Sequence, residues 1–121
     1  MGYSDKQAIM DKILVINNDE DTMSLLKLWF EKRSYKVKYT SSADNISHLI
    51  KEFKPKVVLV DVLQKDAAEE IKKNDETREV PVILMTGYTL RQTPLEVMVD
   101  DVIEKPFNLR LLEKKIQKFI S

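Results

Sequence analysis

The chain has 121 residues, and 20 lysines and arginines are matched by 20 aspartates and glutamates. That length suits one domain with a core that needs no covalent staples. The absence of cysteine excludes disulfides and thiolate metal sites, and the zero formal charge argues against a non-specific nucleic-acid or polybasic membrane role.

Two glycines in the whole chain leave no material for a Gly-rich phosphate loop. No apolar stretch has the length of a membrane span, and the start carries no signal-peptide pattern. A soluble, cytoplasmic domain is expected. Residues 1–11 are polar and aperiodic and read as an arm ahead of a domain at 12–121.

Lys12-Ile13-Leu14-Val15-Ile16 is the first predicted strand, followed by a polar, acidic turn from Asn17 to Asp21. Met23, Leu26, Trp29 and Phe30 recur at helical spacing, with Leu25 and Leu28 widening the stripe. Asp19, Asp21 or Thr22 is placed to cap that helix. Tyr35, Val37 and Tyr39 alternate with Lys36 and Lys38, the period of a half-exposed edge strand. Ser42 is expected to cap a second helix with the buried stripe Ala43, Ile46, Leu49, Ile50 and Phe53.

Val57-Val58-Leu59-Val60-Asp61 then runs unbroken behind Pro55, as a strand buried on both faces of a parallel sheet does. Asp66 is expected to cap a short helix through Ala67, Ala68 and Ile71 that fades by Asn74. Val82-Ile83-Leu84-Met85 is a fourth strand, closed by Thr86-Gly87. Thr93-Pro94-Leu95-Glu96 has capping-box spacing with Pro at the first helical position. Val102-Ile103 reads as a fifth strand. Asn108 is expected to cap a last helix facing inward through Leu109, Leu112, Ile116 and Phe119. Strands alternating with helices five times predict a doubly wound α/β fold around a parallel sheet.

In such a sheet, ligands collect at the carboxyl ends of the strands. Asp61 ends one strand there. Taken alone, it reads more readily as a helix cap or a solvated loop acid. Lys105 alone reads as a surface lysine, and Thr86 as a strand-end hydroxyl. Together with Asn17-Asn18-Asp19, however, they deliver amides, carboxylates, a hydroxyl and an ammonium to one edge, and that makes a site.

Four stretches in this order resemble the receiver domain of two-component response regulators over roughly residues 12–120. They are Lys12 to Asp19, Val57 to Asp61, Val82 to Gly87, and Glu104-Lys105-Pro106-Phe107. The resemblance implies a flavodoxin-like, five-stranded sheet in the order 2-1-3-4-5. It makes Asp61 the phosphoacceptor, Lys105 its counter-charge and Thr86 the switch hydroxyl that bonds the phosphoryl group. It also implies a cis bond between Lys105 and Pro106. Transfer to such a carboxylate is mostly a matter of positioning and electrostatics. The implied metal is Mg²⁺, held by Asp61, by the backbone carbonyl of Leu63 and, with a shifted backbone, by Asp19. No organic cofactor is implied.

The chain departs from the family where the metal and the switch are expected. Asn17 and Asn18 stand in place of the acidic pair, so the metal cup is short of two negative charges, and Mg²⁺ binding is expected to be weak. Val102 stands where receivers usually carry a swinging Tyr or Phe. The interval from Asp61 to Thr86 is 86 − 61 = 25 positions, several fewer than usual.

The first functional reading is a stand-alone receiver, not an enzyme in its own right, that takes a phosphoryl group on Asp61. A sensor histidine kinase or phosphotransfer protein would supply it, and a downstream protein or a second copy in a homodimer would read it. No nucleic-acid or membrane partner is implied. A second reading is a pseudo-receiver that binds partners independently of phosphorylation. A small phosphohydrolase with Asp61 as nucleophile would want a second acid just after it, where Val62-Leu63 stands. Flavin binding would want a Ser/Thr/Gly-rich loop in place of Asp19-Glu20-Asp21.

Overall fold

The computed structural model describes residues 10–87, 99–106 and 108–120. The elements in chain order are β1 (Asp11–Ile16), α1 (Glu20–Glu31), β2 (Tyr35–Thr40), α2 (Ile46–Phe53), β3 (Val57–Asp61), a 3₁₀ turn (Val62–Gln64), α3 (Lys65–Lys73), β4 (Val82–Thr86), β5 (Asp101–Glu104) and α4 (Leu109–Ile120). The strands form one parallel sheet in the order β2-β1-β3-β4-β5. The expected centre is therefore the observed one: β3 lies between β1 and β4.

Strand alternation sorts the core into two layers. Leu14, Ile16, Val58, Val60, Val82 and Leu84 pack with Ile46 and Ile50 of α2 and with Ala67, Ala68 and Ile71 of α3. Ile13, Val15, Val57, Leu59, Ile83, Met85 and Ile103 pack on the other face with Leu26 and Phe30 of α1 and with Leu112 and Ile116 of α4. A central strand covered on both sides has no polar face, so β3 reads VVLV without alternation. The edge strand β2 keeps the alternation, with Lys36 and Lys38 exposed. Burial of a side chain such as Leu26 contributes about 2 kcal/mol, so the two layers dominate stability.

Two predicted helix starts shift. α2 begins at Ile46, four residues past Ser42. The Ser42 hydroxyl oxygen accepts the Asp44 N–H at 3.0 Å in a local turn, and Asn45 takes a left-handed conformation with φ 56°. Asn tolerates that region, and a helix cannot continue back through it. α3 begins at Lys65, so Asp66 lies in its first turn and is not its cap. The Asn108 cap is as expected: its side-chain oxygen accepts the N–H groups of Arg110 and Leu111 at 2.8 and 3.2 Å. The capping box at 93–96 and most of the 1–11 arm lie outside the described residues.

Among the described residues, no helix is long and apolar enough to cross a membrane.

Candidate functional site

The polar edge forms where the strands run out. Asn17 extends β1 by one step, its N–H donating to the Thr40 carbonyl at 3.0 Å. One step past the Ile16–Val60 pair, it stands opposite Asp61. Asn17 and Asp61 are thus the polar continuation of Val15 and Leu59, on the face covered by α1 and α4. Lys105 follows Ile103 on that face, and its N–H donates to the Thr86 carbonyl at 2.6 Å. The Lys105–Pro106 peptide is cis, as expected.

Lys105 turns its ammonium onto the centre of the edge. Nζ lies 2.5 Å from Asp61 Oδ2 and 4.0 Å from Asp19 Oδ2. Lys105 thus stands as the counter-charge of Asp61, in a direct ion pair. Asp61 is only 3% exposed, so it is not the solvated loop acid that it resembles when taken alone. Its Oδ1 turns back to accept the Leu63 N–H at 2.8 Å, and Lys105 covers Oδ2. A buried carboxylate held by an ammonium and a backbone N–H is compensated for its lost hydration.

Asp19 caps α1, its Oδ1 accepting the Asp21 N–H at 3.1 Å. Its Oδ2 accepts the Thr22 hydroxyl at 2.6 Å. The Thr22 hydroxyl, helped by the Asp21 and Thr22 N–H groups and by Lys105, holds the Asp19 carboxyl below its ordinary range despite some desolvation. Thr22 is a site-supporting residue that the sequence reading offered only as an alternative cap. Its signal is a hydroxyl three positions after an aspartate that precedes an apolar stripe.

Thr86, wholly buried, ends β4 one residue past Met85, the partner of Asp61 across the sheet. Asn18 is exposed, and so is the Leu63 side chain. Val102 is half-buried against the core layer of α2 and α3. The structure thus joins Asp61, Lys105, Asp19 and Asn17 at one edge with Thr86 beside them, and leaves Asn18 and Val102 apart.

Mg²⁺ does not fit this donor set well. Among the described residues, no three His, Cys, Asp or Glu side chains are grouped to hold a metal. The Asp61 oxygen that faces the edge is held by the Lys105 ammonium, which an entering cation would have to displace. Asn17 offers its wrong end. Its oxygen accepts the Asp19 N–H at 2.6 Å, which fixes the amide's orientation and leaves the buried Nδ2 without a partner among the described residues. An NH₂ group has no lone pair to give a hard cation.

Residues 13–117 match the response regulator receiver domain family. The chain belongs to that family. The transcriptional regulatory protein CpxR of Escherichia coli K12 is 31% identical over 116 residues, covering 92% of this chain and 50% of that protein. CpxR of Klebsiella pneumoniae is 30% identical with the same coverage. The chain therefore spans about half the length of these curated relatives.

Among solved structures, the receiver domain of the sensor histidine kinase PA1611 from Pseudomonas aeruginosa superposes with TM-score 0.82 at 20% identity, covering 92% of this chain and 98% of that one. That protein holds a magnesium ion in its active site cleft. The receiver domain of a DNA-binding response regulator from Colwellia psychrerythraea gives TM-score 0.78 at 25% identity, covering 91% and 98%. The receiver is a signalling module of two-component systems, and receiver domains work with histidine kinases or phosphotransfer proteins and with downstream effectors.

Proposed function

We propose that this receiver accepts a phosphoryl group on Asp61 from a histidine-phosphorylated kinase or phosphotransfer protein and presents its changed state to a downstream protein partner or a second copy. The observation that carries this reading is the Asp61–Lys105 pair at the end of the central strand. In the transfer, an Asp61 oxygen attacks phosphorus in line. The O–P bond forms as the P–N bond to histidine breaks, and the ring, protonated on its other nitrogen, takes that electron pair and leaves as neutral imidazole. Lys105 stays at the carboxylate and neutralises charge that spreads over the phosphoryl oxygens. The Thr86 hydroxyl is proposed to bond one of those oxygens.

A carboxylate has about four lone-pair sites, so the bonds from Leu63 and Lys105 leave Asp61 capacity to attack. The test is intact mass after incubation with a histidine-phosphorylated donor protein. One added phosphoryl group on the wild type and none on Asp61→Asn is the expected result. Equal labelling of both would remove Asp61 from the role.

A further inference from the structure

We infer that this edge takes its phosphoryl group on hydrogen-bond donors alone, so that transfer to Asp61 needs no divalent cation. The inference rests on Asp61 being the acceptor. Its first support is the position of Lys105, whose ammonium lies between the two carboxylates of the edge, at 2.5 Å from one and 4.0 Å from the other. A cation entering there must displace an ammonium already paired.

The second support is charge. Asp61 and Asp19 against Lys105 leave one net negative charge, and Asn17 and Asn18 add none. A phosphoryl dianion arriving at this edge meets one net negative charge, two fewer than with acids at positions 17 and 18, so there is less repulsion for a metal to relieve.

The third and most specific support is the Asn17 amide. Asn17 is fully buried, its Nδ2 has no partner among the described residues, and it lies one register step past the Ile16–Val60 pair, as Asp61 does. A buried donor without an acceptor is costly. A phosphoryl oxygen on Asp61 would supply the acceptor, whereas a cation would be repelled by the partial positive charge of the same NH₂ group. Asn17 and Lys105 are in this sense substitutes for a metal: two donors at the edge, in a place where ligand oxygens would otherwise be needed.

Phosphoramidate is a donor that isolates the question. An Asp61 oxygen attacks its phosphorus, the O–P bond forms, and the P–N bond breaks with its electron pair going to nitrogen. That nitrogen already carries three protons and departs as ammonia, so no other reactant is required.

The experiment follows phosphoryl occupancy by intact mass for the whole chain, once in EDTA and once in Mg²⁺. In parallel, Mg²⁺ alone is titrated into the unmodified protein and amide shifts are read. Wild-type rates are expected to agree within about twofold between the two buffers, a difference of well under 1.4 kcal/mol in barrier. Mg²⁺ alone is expected to shift the amides around Asp61 weakly and without saturation. Asn17→Asp, which removes the donor and adds a ligand, is expected to lose most of the rate in EDTA and recover it in Mg²⁺. Wild-type labelling seen only with Mg²⁺ would overturn the inference and leave Asp61 as acceptor. Labelling in neither buffer would overturn both, and the wild-type comparison holds whether or not the variant folds.

Discussion

Two lysine–aspartate pairs sit at opposite ends of the same sheet, and they differ in what surrounds them. At the amino end, Lys72 at the close of α3 lies 2.7 Å from Asp100 Oδ2 and donates to the carbonyls of Arg78 and Val80 at 3.0 and 2.8 Å. The same Asp100 oxygen accepts the Val82 N–H at 2.7 Å. All three ammonium protons are used, and three segments are tied together before β4 and β5 begin. At the carboxyl end, the Lys105 ammonium donates one hydrogen bond among the described residues, to Asp61, with Asp19 at 4.0 Å and the Asn17 amide unpartnered nearby. The same two side-chain types therefore make a saturated staple at one end and, among the described residues, an unsaturated edge at the other. What separates them is the count of unused donors.

Breaking the buried pair should have the larger effect on stability. Lys105→Met leaves the Asp61 carboxylate buried with the Leu63 N–H alone, and is expected to cost about 3–5 kcal/mol in a urea titration while abolishing labelling of Asp61. Lys72→Met strands two carbonyls and a carboxylate that is partly open to water, and should cost about 2–3 kcal/mol. A loss for Lys105→Met no larger than for Lys72→Met would show that water reaches the Asp61 carboxylate once the ammonium is gone. Asp61→Asn keeps an oxygen for the Leu63 N–H and removes a buried charge, so a change of about 1 kcal/mol or less is expected, despite the burial of the site.

A smaller effect is expected from pH. Burial pushes the Asp101 carboxyl up, but bonds from Lys115, the Val102 N–H and Lys118 outweigh it, and the carboxyl is held below its ordinary value of 3.8. Asp19 is likewise held down. A depressed folded value means stability that is present above the unfolded value and lost as pH falls through the folded one. Thermal melts across acidic pH should show this loss. Replacing Asp101 by Asn should flatten it, because Asp101 joins β5 to α4 through Lys115 at 2.9 Å.

The smallest effect concerns Val102. Valine is stiff at χ1 and small, so a phosphoryl mimic should move amide shifts across residues 94–104 only slightly. Large shifts there would mean that another element carries the signal from the reactive end.

The difference between the two ends was only half legible in the sequence. The apolar runs at 13–16, 57–60 and 82–85 place the central strands because a strand covered on both faces admits no polar residue. The polar edge is readable because its residues follow those runs directly. The Lys72 staple is not, since nothing about a lysine near a helix end announces two carbonyls and an aspartate from elsewhere in the chain. The burial of Asp61 is hidden for a similar reason: its cover comes from Lys105, 44 positions away. The start of α2 was misplaced because Ser42 is a sound cap by type, and only the left-handed Asn45 excludes it.

The alternation of β2 has a consequence for how the molecule meets its own copies. An outer strand displays a row of unpaired backbone groups that another chain can add to, and flat apolar outer strands seed aggregates. Lys36 and Lys38 are exposed along this border, so a second copy approaching strand to strand would bring like charges together. The opposite border, β5, is four residues long and has an acid at each end, Asp101 and Glu104. The sheet is guarded by positive charge on one flank and by brevity on the other, while the sticky VVLV sequence stays between neighbours on both sides.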